Sequence, residues 1–151
     1  MGFVNVREQP DSRLFLTYSG NLSVLSLMAT NRYKDWLAQA EDDLKWGEDS
    51  LKTGHFSQTC FIAQQIAEKA LKSLSYKRGF EFVKGHSVME ICRSLDINGE
   101  LMDAAKKLDQ YYISTRYPDA MPSGAPFEFF TEDQAKESLL LAGKFLLKAK
   151  E

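Results

Sequence analysis

From residue 31 to the end of the chain, apolar side chains recur at steps of three and four, the period that puts them on one face of an α-helix. Tyr33, Trp36, Leu37, Ala40, Leu44, Gly47 and Leu51 mark a first such face, with Glu41, Asp42, Lys45, Glu48 and Lys52 opposite. Thr30 or Asn31 has the chemistry to cap its start, and Gly54 to end it. The short link Thr53-Gly54-His55 predicts an antiparallel hairpin with a second helix over residues 56–78. There Ala63, Ile66, Ala67, Ala70, Leu71 and Leu74 form the apolar face. Gln65, Glu68, Lys69, Lys72 and Tyr76 fall at helical spacing on another face.

A loop over residues 79–85 leads to Ser87-Val88-Met89-Glu90, a capping-box start for a short helix of about residues 88–95. After the Asn98-Gly99 turn, Leu101, Ala104, Ala105, Leu108, Tyr112 and Ile113 predict an inward face for a helix over residues 100–115. Proline disfavours the helical conformation at the residue before it, so Tyr117-Pro118 ends that helix. Residues 118–130 read as a loop anchored by three phenylalanines. Thr131 to Gln134 is a second capping box. The last helix buries Ala135, Leu139, Ala142, Phe145, Leu146 and Ala149. The sum is all-α: an up-and-down four-helix bundle with an additional short helix, over residues 31–151.

Residues 1–30 have a different texture. The β-formers Phe3, Val4, Val6, Phe15 and Tyr18 alternate loosely around Pro10, and Ser19-Gly20-Asn21 is a turn signal. A short hairpin, an irregular extension docked on the helices and disorder all fit this stretch. Met28 stands where a second start would leave the helical pattern whole. No apolar run approaches the roughly 20 residues of a membrane span. Leu14 to Met28 is broken by Thr17, Ser19, Gly20, Asn21 and Ser23, and acidic residues sit among the arginines before it, so we expect a cytoplasmic chain.

Composition narrows the functions. At 151 residues one domain with a real core is expected. A net charge of −2 offers no broad phosphate-backbone footprint, so any anion site must be local. Cys60 and Cys92 lack metal-ligand spacing and read as buried thiols, and no metal site is expected. No phosphate loop, nucleophile elbow or paired catalytic carboxylates stand out, so no catalytic residue is assigned.

Three segments carry the candidate chemistry. Gln65, Glu68, Lys69 and Lys72 share one side of a helix. They are either a solvated face laced by a Glu68–Lys72 pair or a set that reads base, ribose and phosphate. His86 sits beside the positive end of the short helix, suited either to local packing or to a ligand edge. Arg116, with Tyr117 and Asp119 on the rigid turn after it, suits a guanidinium held by a carboxylate and aimed at a phosphate or a partner's carboxylate.

Residues 32–150 resemble the HEPN domain, a nucleotide-binding domain named for its occurrence in higher eukaryotes and prokaryotes. The resemblance rests on AEKALK in the second helix, KGHSVMEICRSL, YYISTRYPDA and a closing amphipathic helix, in that order. It implies a helical bundle, commonly a homodimer, that works with a separate minimal nucleotidyltransferase in a toxin–antitoxin-type system. The implied ligand is a nucleotide, ATP or GTP, with no resident cofactor. Some members are ribonucleases with an Arg and a His separated by four to six residues. Here six residues from Tyr117 to Pro122 follow Arg116 without a histidine, and seven residues separate Arg78 from His86. A nucleotide- or partner-binding module is therefore the leading expectation. A metal-independent endoribonuclease using Arg78 or Arg116 with His86 is the alternative, and a structural dimerisation domain is a third reading.

Overall fold

The computed structural model describes the backbone of residues 22–151 and side chains from Arg32 onward. The expected hairpin around Ser19-Gly20-Asn21 lies outside the described residues. The described residues are helical throughout their regular structure. They form α1 (Leu22–Lys52), α2 (Phe56–Lys77), α3 (Val88–Ser94), α4 (Glu100–Asp109), α5 (Tyr111–Ser114) and α6 (Glu132–Lys150), with 3₁₀ turns at Pro118–Ala120 and Pro126–Glu128. This is the all-α bundle the periodicity predicts, with α3 as the short extra helix.

Two expectations are corrected. The first helix does not start at Asn31 but runs back to Leu22, so neither Thr30 nor Asn31 caps it. The helix expected over residues 100–115 is broken at Gln110. There the backbone N–H bonds to the Lys107 carbonyl, three residues back, which tightens the turn and separates α4 from α5.

The bundle is built around α2, fifteen of whose twenty-two residues are buried. A helix buried on so many sides needs small residues where its neighbours come close. Ala63, Ala67 and Ala70 supply them and are fully buried, in one core cluster with Ala40 of α1. Gly47 of α1 serves the same end. A Cβ there would stand 2.8 Å from a Leu139 methyl of α6 and 3.3 Å from Ile62 of α2. Gly47 is thus the point where three helices meet. Leu71, Ile91, Leu108 and Phe145 fill the interior between α2, α3, α4 and α6.

Helix ends follow the local chemistry. Gly54, at φ +81°, makes the turn between α1 and α2. Thr131 and Gln134 form the full reciprocal capping box of α6. At α3 only half of the predicted box forms. Ser87 accepts from the Glu90 N–H, but the Glu90 carboxylate turns to Arg93 instead of reaching back.

Both thiols are buried, as expected. Burial pushes Cys60 up to about 11, partly offset by a Ser138 hydroxyl. Burial, with the Asp109 carboxylate adding to it, pushes Cys92 up to about 12. Thiolate is the reactive form, so iodoacetamide at pH 8 should label neither cysteine in the folded chain and both in urea, by mass spectrometry. In the unfolded chain the thiols ionise near 9. Their contribution to stability is therefore complete below that pH and declines as pH rises toward 11. Melting temperatures between pH 8 and 10.5 should fall more steeply for the parent than for a Cys60→Ala/Cys92→Ala variant, and equal slopes would contradict this account.

Candidate functional site

The polar stripe of α2 is not solvated. The side chains of Glu68 and Lys72 are only 4% and 9% exposed. Charges so placed must be paired and hydrogen-bonded to be tolerated. The Glu68 carboxylate meets that demand with three donors: Lys72 Nζ at 2.8 Å, Gln65 Nε2 at 3.1 Å and His86 Nδ1 at 3.2 Å. Among the described residues no buried side-chain nitrogen or oxygen lacks a partner. Lys72 also lies 5.2 Å over the Trp36 ring, which joins α1 to the cluster.

His86 is brought here by the loop after α2. Gln64, fully buried, donates to the His86 carbonyl at 2.6 Å and accepts from Gln65 at 2.7 Å. The imidazole is 57% exposed and stacks on Tyr112, with ring centroids 5.0 Å apart and planes 17° apart. Contact with a carboxylate makes Nδ1 the protonated nitrogen and turns Nε2 toward solvent.

Arg116 reaches the same tyrosine. Its guanidinium lies 4.3 Å from the centre of Phe61, 4.5 Å from Tyr112 and 5.0 Å from Tyr117. Cation–π attraction holds it there. Its Nε donates to the Tyr112 carbonyl at 2.8 Å. Its terminal N–H groups meet no acceptor among the described residues. Trp36, Lys72, Glu68, His86, Tyr112, Arg116 and Phe61 therefore form one continuous run from α1 across α2 to α5.

Of the residues singled out in the sequence, Gln65, Glu68, Lys72, His86, Arg116 and Tyr117 come together. Lys69 does not. It faces away and pairs with the buried Asp43 of α1, which also accepts from Gln39 at 2.9 Å. Asp119 does not hold Arg116 either. It stands exposed on its 3₁₀ turn, and aromatic rings hold the guanidinium instead. Tyr112, expected to face inward, faces this cluster; Tyr111 packs edge-on against Phe130. Ile113, also expected inward, is half exposed. Arg78 is spent on the Leu95 carbonyl at the end of α3, 3.0 Å away, and is remote in role from His86.

Three participants were missed. Phe61 and Gln64 lie seven and four residues before Glu68, a helical spacing that could have found them. Asp109 had no local signal. Its carboxylate accepts from Ser87 Oγ and the Val88 N–H, both at 2.7 Å, and from the Met89 N–H at 3.0 Å. It caps the first two N–H groups of α3 from another helix. No group of His, Cys, Asp and Glu capable of holding a metal ion exists among the described residues, and no described helix is long and apolar enough to cross a membrane.

Fold and site together define a small helical bundle whose central helix carries a buried polar cluster that surfaces beside a histidine and an arginine. A family model for the HEPN domain matches residues 33–151. The crystal structure of TT1696 from Thermus thermophilus shares 43% identity at a TM-score of 0.76, over 80% of this chain and 97% of that one. ST0689, an archaeal HEPN homologue, shares 34% at a TM-score of 0.67, over 79% and 95%. A HEPN domain protein of Thermotoga maritima, TM0613, shares 31% at a TM-score of 0.62, over 77% and 94%. The chain belongs to the HEPN domain family. It is also 27% identical, over 119 residues, to a Methanocaldococcus jannaschii protein named "Putative toxin MJ1304", covering 70% of this chain and 78% of that protein.

The Glu68 site makes a stability prediction. Glu68→Ala strands the Lys72 ammonium in the interior and should cost about 3–5 kcal/mol in urea unfolding. Replacing both with apolar residues, Glu68→Leu with Lys72→Met, should cost far less. If the single variant loses under about 1 kcal/mol, the carboxylate is not the anchor described.

Proposed function

We propose that this chain is a nucleotide-recognising HEPN module, without a reaction of its own, that acts as a homodimer with a separate minimal nucleotidyltransferase in a toxin–antitoxin-type system of the cytoplasm. The observation that carries the binding part is Arg116. Lys72 and His86 already face a carboxylate, whereas the Arg116 guanidinium is held by rings that leave its charge uncompensated. Its planar fork suits two phosphate oxygens. Tyr117, half exposed beside it, offers a face on which a base can stack. The partner half of the reading is supported by the family and by the toxin name of the archaeal relative.

Adding ATP or GTP should raise the melting temperature progressively with concentration, by the equivalent of about 2.7 kcal/mol at a hundredfold excess over Kd. Arg116→Ala should abolish the rise. Lys69→Ala, altered on the far side of α2, should keep it. A flat response to both nucleotides, with no nucleotidyltransferase retained by the tagged chain, would refute this reading.

One observation favours a second reading, the endoribonuclease. The buried Glu68 carboxylate fixes the His86 ring with Nε2 outward, as a general base requires, and Arg116 touches the same tyrosine. RNA incubated with the chain in EDTA should then be cut, and His86→Ala should leave it whole. RNA left intact by the parent removes this reading.

A further inference from the structure

Among the described residues the imidazole of His86 is hydrogen-bonded to Glu68 and stacked on Tyr112, so its place depends on where its backbone is held. Two groups hold that backbone. Gln64 of α2 fixes the His86 carbonyl. One residue later, Asp109 of α4 takes Ser87 Oγ and the N–H groups of Val88 and Met89 on its two oxygens. Those N–H groups would otherwise be orphans of the helix start. Ser87 is thereby fixed in both roles, donating to Asp109 and accepting from the Glu90 N–H at 3.2 Å.

The clamp has a consequence for the site. Asp109 is the last residue of α4, and Tyr112 follows three positions later in α5, which leads directly to Arg116. By gripping residues 87–89, Asp109 fastens the loop that carries His86 to the segment that carries Tyr112 and Arg116. Without it, the loop is held by the Gln64 bond to α2 and by apolar packing of α3 on α4, and no polar contact fixes residues 87–89 to the segment that carries the tyrosine ring. Asp109 itself touches none of these side chains.

The geometry points to Asp109 as a positioning residue for the site: its carboxylate, capping α3 from a different helix, sets His86 between Glu68 and Tyr112. The inference rests on His86 being part of the site proposed above. It is tested in the ligand-free chain, where it does not depend on a nucleotide. The chain has only two histidines, and His55, exposed in the turn before α2, serves as the internal reference. With ¹⁵N-labelled imidazoles at pH 8, His86 of the parent should show the Nδ1–H tautomer imposed by Glu68. In Asp109→Ala it should move to the Nε2–H tautomer that free imidazole prefers, while His55 and the helical circular dichroism stay as they were. Should Asp109→Ala not fold, Asp109→Asn, which keeps the side-chain volume but removes a carboxylate acceptor, carries the same comparison. A His86 signal that is already Nε2–H in the parent, or that stays Nδ1–H in the variants, overturns the inference. If the imidazole moves while the parent fails to respond to ATP and GTP, the positioning role stands and the nucleotide reading falls.

Discussion

A carboxylate buried in the middle of a helix bundle constrains everything around it. Removing such a group from water costs several kcal/mol, and only close, well-oriented donors offset that. Glu68 has an ammonium, an amide and an imidazole. The first two come from its own helix and are nearly automatic at three- and four-residue spacing. The third comes from eighteen residues away and is not. The demand of Glu68 for a further donor therefore ties the loop after α2 to the bundle. Through His86 the same demand reaches Tyr112, and through Tyr112 it reaches Arg116.

That arrangement is possible because of how α2 is packed. Alanines on its apolar face let neighbouring helices approach closely, while Glu68 and Lys72 lie against His86 and Trp36. A conventional amphipathic helix would give those residues to solvent. Here His86 and Trp36 lie against them, so a stripe with the composition of a surface becomes an interior. Trp36 closes one end of the stripe by lying over Lys72, and Phe61 closes the other by lying under Arg116.

Much of the fold was readable from periodicity, because each helix buries one stripe and is bounded by a glycine turn, a proline or a capping residue. Gly54, the Thr131 box and Tyr117-Pro118 all act through their own immediate neighbours, and local chemistry is what a sequence displays. Features set by distant contacts were not readable. Nothing near Glu68 says that His86, eighteen residues on, will lie against it, so its exposure was open. Asp109 serves residues more than twenty positions upstream. Asp119, close in sequence to Arg116, was the natural guess for its counter-charge, yet the side chain found three rings, one on α2, one on α5 and one in the turn that follows. The break at Gln110 is likewise a matter of one hydrogen bond choosing its acceptor three rather than four residues back.

The same comparison decides which cation of the cluster can act on an incoming anion. Lys72 and Glu68 neutralise each other at 2.8 Å and are closed off from water. His86 faces the same carboxylate. Arg116 alone keeps a full charge, because aromatic quadrupoles attract a guanidinium without cancelling it. The chain as a whole carries −2, so its general field does not draw anions in, and the capture proposed above rests on this local charge. A planar guanidinium stacked against rings is already oriented and has little rotamer freedom left to lose on binding. Lysine at this position would have neither the stacking nor the fork. The buried ion pair thus serves architecture, and the aromatic-held arginine is the cation left for the recognition proposed above, two positive charges separated by whether a carboxylate reaches them.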